Sequence, residues 1–126
     1  MTTDVADPAL VQSYHAHVYY RPETRAHAAA VRDQLGARFP VQLGRWHDAL
    51  VGPHSRSMYQ VAFPAEAFGT IVPWLMLNRG PLDVLVHAET GDDLRDHTAH
   101  TLWLGEPLPL RLEALAGPES GEGAPR

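Results

Sequence analysis

The stretch Tyr14-His15-Ala16-His17-Val18-Tyr19-Tyr20 constrains the chain more than any other. Its aromatic and β-branched residues, closed by Arg21-Pro22, read as a strand. Residues two apart in a strand point to one face. His15, His17 and Tyr19 therefore share a face. The strand rise puts the Cα atoms of the two histidines about 6.5–7 Å apart. Two imidazoles at that spacing can share one metal ion, or one can bind while the other works beside it.

Composition narrows the chemistry. A chain of 126 residues with 44% hydrophobic content is one soluble domain with room for a core. The formal charge of −5 argues against a nucleic-acid partner. All ten basic residues are Arg, so a Schiff-base lysine is excluded. There is no cysteine, hence no disulfide, thiol nucleophile or thiolate metal site. A metal must bind through nitrogen or oxygen, which favours iron, manganese, zinc, copper or nickel over an iron–sulfur cluster. Met1 to Val11 carries two Asp and no apolar run, so it does not read as a signal peptide. No stretch reaches the roughly 18 apolar residues of a membrane span. A cytoplasmic protein without a membrane partner is expected. The eight histidines stand out against this background.

Residues 1–12 read as a loose arm, 13–112 as the domain and 113–126 as a disordered, Pro/Gly/Glu-rich tail. After the first strand, Pro22 and Thr24 open a helix that runs to Leu35, with Ala28, Val31 and Leu35 buried and Gly36 at its end. Val41 to Trp46 alternates as a second strand. His47 to Ser57 is a loop that carries two His, an Asp and an Arg. Met58 to Phe63 is a third strand, in an antiparallel hairpin with the second. Ala65 to Asn78 is a second helix, with Phe68, Ile71, Val72, Leu75 and Met76 as its apolar stripe and Pro73 as a kink or turn. Leu82 to His87 is a fourth strand, Ala88 to Asp93 an acidic loop and Thr101 to Gly105 a last short strand.

The order is an α+β, ferredoxin-like β-α-β-β-α-β sandwich with an antiparallel sheet and an extra C-terminal strand. The first and third strands are central, and the fourth lies beside the first. The helices cover one face and leave the other open for a partner subunit or a site, so a homodimer is expected. On the fourth strand Leu82, Val84 and Val86 should meet the helices. That leaves His87 on the open face with His15 and His17 beside it, a metal-site geometry that His54 can join from its loop. Asp48, Asp83 and Glu89 are either further ligands or solvated charges. His27 reads as a surface residue on a polar helix face. His97 and His100 are acid/base and supporting groups or surface residues. Trp74 and Trp103 belong to the core. Trp46, next to His47, can wall a substrate pocket. Arg79 either neutralises a substrate carboxylate or caps its helix.

Several motifs in order resemble the DOPA 4,5-dioxygenase family. They are Tyr14 to Tyr20, Val51-Gly52-Pro53-His54, Met58 to Phe63, Val72-Pro73-Trp74-Leu75 with Asn78-Arg79-Gly80, Leu82 to His87, and Asp96-His97 through Trp103-Leu104-Gly105. The resemblance implies an extradiol ring-cleaving dioxygenase that takes a small catechol and O₂. It implies non-haem Fe(II), with zinc or another divalent metal as an alternative occupant, and a dimer. It makes His17, His54 and His87 the metal set, His15 a ligand or an acid/base group, and His97, which matches another family histidine, a second catalytic candidate. Trp46, His47 and Arg79 remain the candidates for contact with substrate. The family's usual His-Pro-Asn-Thr is here His87-Ala88-Glu89-Thr90, which should change the loop lining the site. Two other readings stay open: a paralogous metalloenzyme with another small-molecule substrate, and a dimeric module that binds a metal or an aromatic ligand.

Overall fold

A computed structural model describes residues 4–115. The elements are β1 (Ser13–Tyr19), α1 (Arg25–Arg38), β2 (Gln42–Leu43), β3 (Met58–Pro64), α2 (Phe68–Asn78), β4 (Asp83–Glu89), α3 (Asp93–Asp96) and β5 (Thr101–Leu104). The strands form one antiparallel sheet in the order β2-β3-β1-β4-β5. The α+β, ferredoxin-like order with its extra C-terminal strand is therefore present. β1 is central, and His15 stands opposite Ala62 on one side and His87 on the other.

Burial explains this register. Ala16, Val18, Val61, Val84 and Val86 pack with Val31, Leu35, Ile71 and Leu75 in one core between sheet and helices. A slip by one residue would turn the histidines into that core and the valines out of it.

The elements depart from their expected bounds where packing overrides local signals. α1 continues past Gly36 to Arg38. A Cβ on Gly36 would lie 3.2 Å from Leu43 Cδ1, so this glycine lets the helix pass close to β2 rather than ending it. Thr24 Oγ1 accepts the Arg21 N–H at 2.9 Å and holds the Pro22–Thr24 turn that precedes α1. α2 runs through Pro73. The carbonyl that Pro73 leaves free belongs to exposed Gly69, where water can serve it. Met76 falls outside the buried stripe at 51% exposure. Ala88 and Glu89 extend β4 rather than starting a loop.

The second strand is much shorter than Val41 to Trp46, and a bulge is the reason. Gly44 N–H donates to Gln60 O, while His47 bridges to Met58. Two residues, Arg45 and Trp46, lie opposite Tyr59 alone. One extra residue reverses the side-chain alternation. Trp46 turns to the helix side, and His47 shares a face with Met58.

The sheet face opposite the helices is not open. Tyr19, Met58 and Leu85 form a second core there, flanked by Trp103 of β5 and covered by Val51, Leu108 and Leu110. The two covering segments are tied together. Arg111 N–H donates to Pro53 O at 2.7 Å, and Ser55 Oγ donates to Pro109 O. The homodimer expectation rested partly on an uncovered face, and the chain covers much of this one itself. The expected domain end at 112 falls in a 3-10 turn, Leu112–Leu115, whose Leu115 is buried. The rest of the expected tail lies outside the described residues. Among the described residues, no helix is long and apolar enough to cross a membrane.

Candidate metal centre

Five histidines from four segments meet over the covered face. β1 carries His15 and His17, and β4 carries His87 directly across from His15. His54 comes down from the loop before β3. His97 follows the short helix α3. His17, His54, His87 and His97 are buried, and only His15 is partly accessible.

His17 is the hub. Its Nε2 lies 3.1 Å from His87 Nε2. Its ring centre is 4.1 Å from that of His54 and 6.3 Å from that of His97. The His87 and His97 rings are 4.2 Å apart. Two groups of donor atoms each lie mutually within 4.8 Å, and both contain His17. One is His15, His17 and His87; the other is His17, His54 and His97. The expected metal set His17, His54 and His87 is thus divided between the two groups.

Hydrogen bonds fix which nitrogens can face a metal. A carbonyl only accepts, so His87 Nδ1–H donates to Ala88 O at 2.9 Å and His97 Nδ1–H donates to Asp93 O at 2.7 Å. Neutral imidazoles so held keep their lone pairs on Nε2. His54 Nδ1 lies 2.7 Å from the Tyr19 hydroxyl. His17 Nδ1 is buried with no hydrogen-bond partner among the described residues. Nitrogen ligands at about 2.0–2.1 Å from a metal stand about 3.0–3.4 Å from each other. The His17–His87 separation falls in that range. This all-imidazole donor set fits a divalent metal ion, and the buried histidine groups can hold one.

Electrostatics favours lone pairs over protons. Burial, then the neighbouring imidazoles of His54 and His87, hold His17 well below the ordinary histidine value. Burial, with His97 beside it, lowers His87 to about 3. Both rings are therefore neutral at pH 7 and available as ligands. A carboxylate stands at the edge: Glu89 Oε1 is 3.3 Å from His15 Nε2, and Glu89 Oε2 is 3.7 Å from His87 Nδ1.

Two supports escaped the sequence reading. Asp96 is fully buried. Burial opposes its ionisation, yet the Thr90 N–H, the Thr90 hydroxyl and His100 hold its carboxyl below the ordinary value. This knot pins α3 to the end of β4 and so places His97. His100 is thereby a partner of Asp96 outside the histidine group. Gln60, paired with His17 across β1 and β3, has a buried Oε1 without a partner among the described residues. Their only signals were a carboxylate beside His97 and strand parity.

The other candidates lie elsewhere or at the margin. Trp46 packs on Tyr20 and Tyr59 under the Arg25 and Arg32 guanidinium groups, in the helix layer. Arg79 caps α2 and donates to Met76 O at 3.2 Å, the helix-end role. His47 is on the histidine side of the sheet beside Met58. Burial, with Arg45 nearby, lowers its pKa. His27 is exposed on α1. Asp48 binds Arg25 and the Tyr20 hydroxyl, and Asp83 binds Arg56, so neither stands with the histidines.

Residues 14–114 match the model of the Dopa 4,5-dioxygenase family. The chain belongs to this family. A DOPA 4,5-dioxygenase of Amanita muscaria is 36% identical over 114 residues, which cover 83% of this chain and 50% of that protein. An uncharacterized 21.2 kDa protein of Botryotinia fuckeliana is 34% identical over 125 residues, 90% of this chain and 68% of its own length. The chain thus spans 50% and 68% of the lengths of these two relatives. A crystal structure from Nostoc punctiforme, provisionally assigned as a dioxygenase, is 54% identical with a TM-score of 0.87. That comparison covers 88% of this chain and 96% of the other. Family membership and these relatives support an oxygenase.

Proposed function

We propose that this family member is a non-haem, metal-dependent extradiol dioxygenase that opens the ring of DOPA or a related catechol, with Fe(II) as its metal. The observation that carries the reading is the pair of buried histidine groups that share His17, in a chain of this family. His17, His54 and His87 are the proposed metal ligands; His54 and His87 fall in different donor groups that share His17, so binding one ion draws both towards His17. Fe(II) held there would supply a Lewis-acidic centre that activates the diol and O₂.

The chain's residues supply the rest. The covering segments exclude water and keep the imidazoles neutral. His15, the partly accessible member, is the base that takes a catechol hydroxyl proton; Glu89 Oε1, 3.3 Å from its Nε2, accepts the Nε2–H and stabilises the resulting imidazolium. His97 is the second acid/base group. Its Nδ1 is committed to Asp93 O, so it exchanges protons through Nε2. His47 is retained as a substrate neighbour because it shares the face; Trp46 and Arg79 are not.

The test is anaerobic loading with Fe(II), followed by air and a panel of catechols. A yellow semialdehyde that disappears in His17→Ala and His87→Ala supports the reading. Bound metal without colour for any catechol overturns it in favour of another metalloenzyme or a binding module.

A further inference from the structure

His54 differs from the other histidines in how it is held. His15, His17 and His87 sit on strands whose ladders orient them. His97 has a backbone carbonyl on its Nδ1. His54 sits in a loop, and its Nδ1 meets a side chain, the Tyr19 hydroxyl, at 2.7 Å. Tyr19 itself is rigid. It is 1% exposed, its ring lies 5.9 Å from the Trp103 ring at an interplanar angle of 19°, and it packs with Met58 and Leu85.

We propose that Tyr19 is the positioning residue of the metal centre. Its phenol oxygen accepts the His54 Nδ1–H, so that the His54 Nε2 lone pair faces His17 and His97. The contact takes Nδ1, and the donor atom left to His54 in the group with His17 and His97 is Nε2. A hydroxyl can also donate. If Tyr19 donated to Nδ1, the proton would move to Nε2 and His54 would be lost as a ligand. The chemistry of the group therefore selects the accepting role. A phenol on a central strand does for the loop histidine what Ala88 O and Asp93 O do for His87 and His97. Strand parity places Tyr19 for it, two residues beyond His17 on the same face.

This inference rests on the metal-centre reading but not on catechol turnover. Ring-nitrogen NMR of the metal-free protein should show His54 as the Nδ1–H tautomer, and Tyr19→Phe should shift it toward Nε2–H. Titration with Co(II) should show affinity reduced about 10–100-fold in Tyr19→Phe, the effect typical of losing a partner that orients a ligand. Tyr20→Phe, which removes a phenol bound to Asp48, should leave Co(II) affinity unchanged. An Nε2–H tautomer of His54 in the wild type overturns the proposal, as does equal Co(II) affinity in wild type and Tyr19→Phe. The wild-type tautomer decides the matter even if Tyr19→Phe fails to fold. Tyr19-dependent Co(II) binding in a protein that cleaves no catechol after Fe(II) loading would sink the dioxygenase reading and leave this one standing.

Discussion

The two faces of one sheet have opposite chemistry. On β1 and β4 the helix side carries Ala16, Val18, Val84 and Val86, all in the main core. The alternate positions carry His15, His17, Leu85 and His87. Both sides are buried, but only the helix side is buried for stability alone. Four imidazoles sealed under loops are costly without a ligand, since polar groups are expensive to bury unless satisfied. The contrast teaches that burial alone does not distinguish core from site; the donor atoms do.

The sharpest break in the comparison is His17→Ala. It should abolish metal binding, read as metal stoichiometry by elemental analysis, because both donor groups lose their shared member. Leu35→Ala, on the helix side, should do the reverse. It should lower unfolding free energy by about 2–5 kcal/mol in denaturant titration while metal stoichiometry is kept.

Acidification should separate the faces again. In the metal-free protein, His17 and His87 are neutral when folded, whereas in the unfolded chain they protonate near 6.5. Their folded values are depressed, so the stability they allow is complete above 6.5 and is lost as pH falls from there toward about 3 for His87. The slope should be about 1.4 kcal/mol per pH unit for each histidine held neutral. Denaturation midpoints between pH 7 and 4 would show it. A flat profile would mean these rings are not held neutral. His17→Ala should have a shallower slope than wild type.

Asp96→Asn should cost about 1–3 kcal/mol, because a buried hydrogen-bond network loses part of its satisfaction. Turnover should fall with it, since His97, the second acid/base group, depends on that knot. Arg79→Ala should have the smallest effect. It stays within about 0.5 kcal/mol of wild type in stability, as surface changes do, and kcat/KM for a carboxylated catechol does not change. A large loss there would return Arg79 to the site.

How much of this was legible follows from the range of the interactions. The histidine face of β1 and β4 was readable because alternation is local. The position of His87 beside His15 followed once the strand order did. Trp46 was read as a pocket wall but lies in the helix layer, because one extra residue between Gly44 and His47 reverses parity and leaves no composition signal. Arg79 had two readings in sequence, a substrate carboxylate or the end of its helix, and the end of α2 takes it. Asp96 was passed over because a carboxylate in a polar run normally stays in water, and only Thr90 and His100 make its burial possible.

Strand parity, the apolar stripes of the two helices and the lack of any thiol or lysine were determined by the sequence alone. These set the fold class and restricted the donors to imidazole and carboxylate, because they depend on backbone geometry and side-chain type. Only the tertiary structure decided that the second face is closed, that His54 and His97 reach His17, and that Tyr19 holds His54. Those contacts depend on where aperiodic segments come to rest. Packing of Val51, Leu108 and Leu110 onto Tyr19, Met58 and Leu85 settles that, and it joins residues far apart in the chain.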